Sequence, residues 1–171
     1  MKLLVLSDTH IPKRSKAYPD RLLEELKQAD AILHAGDFLT ADAYHELCGY
    51  GMVYAVYGNA DNEDVKSMLP DKQLLKMNGF TIGLIHGHEG KGRTTEKRAL
   101  NAFQDQKLDC LIFGHSHIPV HKQEGDLLLF NPGSPTDKRR QPFFSYGILT
   151  LEQELRAEHI FFEKGSVKPG C

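Results

Sequence analysis

The sequence predicts an α/β fold in which two mixed β-sheets pack face to face with helices outside, a four-layer αββα sandwich formed by residues 1–171 as a single domain. Three observations lead there. In the first third, short apolar runs alternate with helical patterns, which implies parallel pairing. From Leu74 onward the runs come in pairs around turn signals, which implies antiparallel hairpins. Runs such as Leu3-Leu4-Val5-Leu6 are apolar at every position, as short buried strands are.

The elements follow in order. Lys2 to Leu6 is a strand, and Ile11 to Tyr18 is a basic loop containing Pro12. Pro19 and Asp20 open a helix whose apolar stripe is Leu22, Leu23, Leu26 and Ala29. Ala31 to Ala35 reads as a strand ending in Gly36-Asp37. Ala41 to Cys48 reads as a helix, with Thr40 as cap and Gly49 as stop. A strand over Met52 to Tyr57 ends in Gly58-Asn59-Ala60-Asp61, and a short helix from about Asn62 to Leu69 is closed by Pro70. Asn78-Gly79 then joins Leu74–Met77 to Phe80–Ile85, the strongest short hairpin signal available. A glycine-containing loop leads to a helix from about Thr94 to Gln106, followed by a buried strand over Cys110 to Phe113. Val120–Lys122 and Leu127–Phe130 form a second hairpin around Glu124-Gly125-Asp126. Ser145–Leu151 and Leu155–Phe162 close the chain, turning near Glu152.

Composition excludes several classes. A chain of 171 residues buries roughly 70% of its unfolded surface, enough for a core without disulfides. Three cysteines, an odd number with no C-x-x-C spacing, predict neither a disulfide framework nor a thiolate zinc site. The net charge of −2 gives no support for long nucleic acids or an anionic membrane surface. The basic clusters Lys13, Arg14, Lys16 and Lys138, Arg139, Arg140 read as solvated loops. No signal-peptide core and no membrane-spanning run is present, so a soluble cytoplasmic protein is expected. The sequence leaves a homo-oligomer open.

The nine histidines carry the chemistry, because several fall where apolar runs end. The predicted strand exits read Asp8-Thr9-His10, Gly36-Asp37, Gly58-Asn59, His86-Gly87-His88 and Gly114-His115-Ser116-His117. In open α/β sheets ligands bind at the carboxyl ends of strands. Imidazole, carboxylate and carboxamide are the ligand types suited to mid-row divalent metals. Asp-x-His alone is a weak motif, and Gly-Asp and Gly-Asn are ordinary turn dipeptides. Five such exits in order outweigh the reading of turns and solvated ends.

These motifs resemble the signature of the calcineurin-like metallophosphoesterases, and the short length with Gly58-Asn59-x-Asp61 and Asn131-Pro132-Gly133-Ser134 is similar to their small bacterial and archaeal phosphodiesterase branch. That branch includes the retromer scaffold subunit. The resemblance implies two divalent metal ions, manganese first with iron, zinc or nickel as alternatives. It implies Asp8, His10 and His117 on one metal, Asn59, His86 and His115 on the other, and Asp37 bridging. It further implies a small phosphate-ester substrate attacked by a metal-bridging hydroxide, with metals about 3.5–4 Å apart clamping the phosphoryl oxygens. Many relatives place a histidine after the Asn of Gly-Asn, and here that residue is Ala60. His88 is then the candidate proton donor to the leaving group, and Asp61 the candidate for orienting a ligand.

Other residues are assigned by the same reading. His34 is expected to pack in the core, His45 and His159 to be structural or solvated, and Asn131 and Ser134 to shape a loop under the site. His121, Lys91, Arg93, Arg139 and Arg140 are candidates to touch substrate. The competing class is a non-catalytic scaffold of the same fold, against which stand intact ligands at all seven positions. A nuclease on long DNA or RNA needs a basic groove that the charge balance does not suggest.

Overall fold

A computed structural model describes residues 1–165. The elements are β1 (Lys2–Leu6), α1 (Asp20–Gln28), β2 (Ala31–His34), α2 (Ala41–Cys48), β3 (Val53–Ala55), α3 (Glu63–Met68), β4 (Lys72–Met77), β5 (Phe80–Ile85), α4 (Thr95–Ala102), β6 (Cys110–Phe113), β7 (Val120–Glu124), β8 (Leu127–Asn131), β9 (Phe144–Leu151) and β10 (Leu155–Phe162). They form two five-stranded sheets, ordered β10-β9-β1-β2-β3 and β4-β5-β6-β8-β7. Both are mixed. β1, β2 and β3 are parallel, with β9 antiparallel to β1, while β5, β6 and β8 are parallel between antiparallel β4 and β7.

The side-chain period of two in a strand sorts the apolar residues into layers. Leu3 and Val5 face the second sheet, where they pack with Leu33, Ile82, Leu84, Ile112, Phe130 and Leu149. Leu4 and Leu6 face the other way, onto Leu22 and Leu26 of α1 and Leu47 of α2. On the far side of the second sheet, Leu111, Phe113 and Leu129 pack with Ala99 of α4 and with Phe103. Each fully buried leucine contributes roughly 1.5–3 kcal/mol, which explains why β1 is apolar on both faces.

Local signals mostly hold. The Thr40 hydroxyl accepts from the Ala43 N–H and the Asn62 carboxamide from the Val65 N–H, capping α2 and α3. Asn78 and Gly79 both have positive φ, as a two-residue hairpin turn requires. Two elements are shorter than the sequence predicts by three residues or more. α4 stops at Ala102 because Phe103 leaves helical geometry and turns into the cluster with Leu108 and Leu111. β3 covers only Val53–Ala55, since Tyr57 N–H bonds to Pro70 O, away from β2. Among the described residues no helix is long and apolar enough to cross a membrane.

Candidate metal centre

The exits of β1 and β2 in one sheet and of β5 and β6 in the other meet at one end of the sandwich. Two glycines make this approach possible. A Cβ at Gly58 would overlap the Asp37 carboxylate, and one at Gly114 would overlap the Ser7 hydroxyl. Asp8 and His10 follow β1, Asp37 follows β2, His86 follows β5, and His115 and His117 follow β6. Asp8, His10, Asp37, His86 and His117 are buried, His115 is half-buried, and Asn59 is exposed at the rim.

Ligand atoms converge in two groups that share Asp8. In one, Asp8, His10 and His117 bring their atoms within 4.8 Å of one another, and in the other Asp8, Asp37 and His86 do so. One oxygen of Asp37 faces both sides, 3.6 Å from His10 Nε2 and 3.4 Å from His86 Nε2. Asn59 Oδ1 lies 3.2 Å from His86 Nε2 and 2.9 Å from His115 Nδ1. All seven side chains named from the sequence therefore stand in one cluster.

Hydrogen bonds outside the cluster fix which ring nitrogens face it. His86 Nδ1 donates to the Ala35 carbonyl at 2.7 Å and His117 Nδ1 donates to the Asp137 carbonyl at 2.6 Å. In a neutral imidazole only one nitrogen carries hydrogen, so each Nε2 presents a lone pair to the cluster. His86 Nε2 then faces only acceptor oxygens, those of Asp37, Asn59 and Asp8. Asp8 Oδ1 is fully buried with no donor, although His117 Nε2 is 3.4 Å away. A buried carboxylate oxygen without a donor costs on the order of 1–3 kcal/mol or more. The donor set calls for cations, and divalent ones match its mixed imidazole and carboxylate chemistry.

Titration in the metal-free protein reflects the same crowding. Without a cation, burial pushes His86 down, but the Asp37 and Asp8 carboxylates outweigh it and hold the imidazole up at about 9, so a proton on Nε2 takes the place a cation would fill. Burial, reinforced by His86, takes His115 down to about 4. For Asp37 burial acts upward, yet His86, the Ala60 N–H and His10 hold the carboxyl well below the usual carboxylate range.

The backbone is strained at the same place. Asp8, His10, Asp37, His115 and His117 all have left-handed φ, between 46° and 65°. Each such non-glycine residue costs about 1–3 kcal/mol and persists only where its surroundings over-determine it. The two x-Thr-x and x-Ser-x loops adopt the same alternation, turning both flanking side chains into the cluster. Nothing in the sequence marks this conformation.

Around the cluster lies a supporting shell. The Ser7 hydroxyl donates to Asp8 Oδ2. Asp61 accepts backbone N–H groups from Gly58 at 2.7 Å, Asp37 at 3.0 Å and Leu39 at 2.7 Å, so one carboxylate ties the β2 and β3 exits together. Ser134 donates to the Asp8 carbonyl and Asn131 to the Gly114 carbonyl, placing that loop beneath both exits. His88 sits beside the cluster with ring centroids 5.2 Å from His86 and 6.4 Å from His115, and its Nδ1 is buried without a partner.

The remaining histidines are elsewhere. His34 is buried, accepts the Gly36 N–H at Nδ1, contacts the Thr9 hydroxyl at Nε2 and stacks on Phe38. His159 donates to the Asn131 carbonyl, and His121 lies exposed on β7 against His159 and Phe130, outside the cluster. Lys91, Arg93, Arg139 and Arg140 are exposed, away from the cluster's hydrogen bonds and ion pairs.

Fold and site together define an α/β sandwich with a candidate carboxylate–imidazole metal centre at its strand ends. Residues 1–154 match the calcineurin-like phosphoesterase superfamily domain, and the chain belongs to that superfamily. It is 37% identical over 140 residues to a probable metallophosphoesterase of Methanothermobacter thermautotrophicus, covering 81% of this chain and 80% of that one. A probable metallophosphoesterase of Methanocaldococcus jannaschii is 35% identical over 164 residues, covering 96% and 83%. Among solved structures, Vps29 of Entamoeba histolytica complexed with Zn²⁺ superposes with a TM-score of 0.74 at 26% identity, covering 95% and 100%.

Proposed function

We propose that the chain is a metal-dependent phosphodiesterase acting on a small phosphate ester at two divalent cations. Asp8, His10 and His117 would hold one, Asn59, His86 and His115 the other, with Asp37 shared between them. The observation that carries this reading is Asp8 Oδ1, buried without a donor among the Nε2 atoms of three histidines. Divalent cations held there would supply Lewis acidity, activating water and offsetting charge on the phosphoryl oxygens. Manganese is the first choice, with iron, zinc and nickel compatible with the same ligands.

The chain's own groups do the rest. Asp61 fixes the backbone of Asp37 and Gly58, and with it the bridging carboxylate. His88, with Nδ1 unpartnered beside the cluster, gives a proton to the departing oxygen, the task open where Ala60 follows Asn59. A singly charged diester suits the site better than a dianionic monoester, because the two arginines nearest the cluster are already engaged. Arg98 donates to the Gly87 and Gly92 carbonyls, and Arg14 pairs with Asp137.

A second reading, a non-catalytic scaffold, draws on the likeness to Vps29. Metal binding alone does not separate the two; hydrolysis does. The deciding experiment offers the protein an aryl phosphodiester and an aryl phosphomonoester with manganese, then adds chelator. We expect the diester to be cleaved faster, with activity lost on chelation and restored by metal. Cleavage of neither ester with manganese, iron, zinc or nickel would establish the scaffold reading instead.

A further inference from the structure

A cavity of about 590 Å³ lies under the loop that follows His10. Its size falls in the range of small-molecule sites, roughly 300–1,000 Å³. Topology puts it at the same end of the sheet as the cluster. Phe144 begins β9 and Phe162 ends β10, paired with each other, and β9 runs antiparallel to β1. The loops 9–14 and 134–137 connect the two, and no side chain of the cluster lines the cavity. The Thr136 hydroxyl, on the cavity side, donates to the Thr9 carbonyl, and the Arg14 N–H donates to the His10 carbonyl at 2.9 Å. Asp137 stands between them, its carboxylate 3.1 Å from Arg14 Nε and its carbonyl accepting from His117.

The lining has two chemistries. One wall is aromatic: Phe144 and Phe162 stack at 5.7 Å with their planes 29° apart, and Tyr18 joins them with its hydroxyl already spent on the Ala43 carbonyl. The rim is cationic, with Lys13, Arg14, Lys16 and Lys164 against the carboxylates Asp20 and Glu163. Arg14 is paired with Asp137, whereas Lys13, Lys16 and Lys164 form no ion pair among the described residues. Flat apolar faces beside unpaired lysines match a ligand that has a planar ring at one end and negative charge at the other.

We propose that this cavity is a nucleotide subsite. It takes a nucleoside phosphate, base against Phe144 and Phe162 and phosphate on Lys13, Lys16 and Lys164, presented as one arm of the diester that the adjoining cluster hydrolyses. The last clause rests on the phosphodiesterase reading; nucleotide binding does not. The basic segment Lys13 to Lys16, taken from sequence as solvated loop, is thereby part of substrate selection.

Two measurements test it. The first titrates AMP, and separately ribose 5-phosphate, into the full-length chelated protein by calorimetry. AMP should bind saturably, with ribose 5-phosphate about tenfold weaker, and the double variant Lys13→Glu/Lys16→Glu and the variant Phe144→Leu should each weaken AMP about tenfold. No AMP binding, binding unchanged in both variants, or equal binding of ribose 5-phosphate would overturn the subsite. The second compares hydrolysis of the dinucleotide pApA with ApA by the manganese-loaded protein. A preference for pApA of about tenfold in kcat/KM, lost in Lys13→Glu/Lys16→Glu, is expected. AMP binding without that preference would overturn the substrate assignment. If no diester is cleaved at all, the phosphodiesterase reading fails, and the AMP titration still decides the cavity.

Discussion

His10 Nε2 and His117 Nε2 face each other at 3.3 Å, brought together from positions 107 residues apart in the chain. His117 Nδ1 is committed to the Asp137 carbonyl, so its Nε2 lone pair points at His10 and at Asp8 Oδ1. Bound cations would turn these opposed groups into ligands. Removing metal with chelator should lower Tm, and adding back manganese or zinc should restore it. At a hundredfold excess over Kd the gain is about 2.7 kcal/mol, or roughly 5–10 °C at 2–4 °C per kcal/mol for a chain of this size. Asp37→Ala should lose both metals by elemental analysis, because Asp37 Oδ2 faces both His10 and His86. Full metal content in that variant would contradict the bridging assignment.

His88→Ala should keep its metal and lose rate. General acid assistance is worth about 10²–10⁴, so kcat on an alkyl diester should fall by about that factor. A nitrophenyl ester, whose leaving group needs no proton, should lose far less. Equal losses on both esters would remove His88 from the proton-transfer step.

Stability should fall on both sides of about pH 6.5 in the chelated protein. Burial, aided by His86, drives the pKa of His34 well below 6.5. Its contribution is complete above 6.5 and disappears as pH falls and the unfolded chain takes up a proton, at up to about 1.4 kcal/mol per pH unit. His86 acts oppositely, since its pKa is held up at about 9. Its contribution is complete below 6.5 and is lost as pH rises towards 9. Denaturant titrations of His34→Gln should show a flatter acid limb than the wild type, whatever the absolute stability; an unchanged slope would refute the assignment.

The left-handed backbone of His115 gives a prediction of unusual sign. Its φ is 64° and its side chain is half-buried. Glycine adopts that conformation without penalty, at some cost in unfolded-state entropy. His115→Gly should raise the Tm of the chelated protein by about 2 °C, equivalent to about 1 kcal/mol, while losing hydrolysis. A lower Tm would show that the ring's packing outweighs the backbone strain.

Much of the architecture was readable because apolar runs end abruptly in polar residues. Leu6 to Asp8 and Phe113 to His115 mark both the ends of strands and the site. Asn78-Gly79 located its hairpin because only a few residues tolerate two positive φ values. The positive φ of Asp8, His10, Asp37, His115 and His117 was not readable, since it arises from two sheets forcing their exits together. Asp61 was recognised only as a neighbour of Asn59, because its three partners are backbone groups that no side-chain pattern encodes. The cavity beside Arg14 was missed for a related reason. Lys13, Arg14 and Lys16 gain an aromatic wall from Phe144 and Phe162, which lie more than a hundred positions further along the chain.

Each ligand group draws on both sheets, with Asp8 and His10 from one and His117 from the other. Coordination by the proposed ligands would therefore also be a topological staple. It would tie position 8 to position 117 as a disulfide does, closing a loop of about a hundred residues, for which chain statistics give on the order of 4–5 kcal/mol. Unlike a disulfide, it would be indifferent to a reducing environment and withdrawn by chelation. Metal supply would then set not only whether the centre is loaded but how tightly the two halves of the sandwich are held against proteolysis.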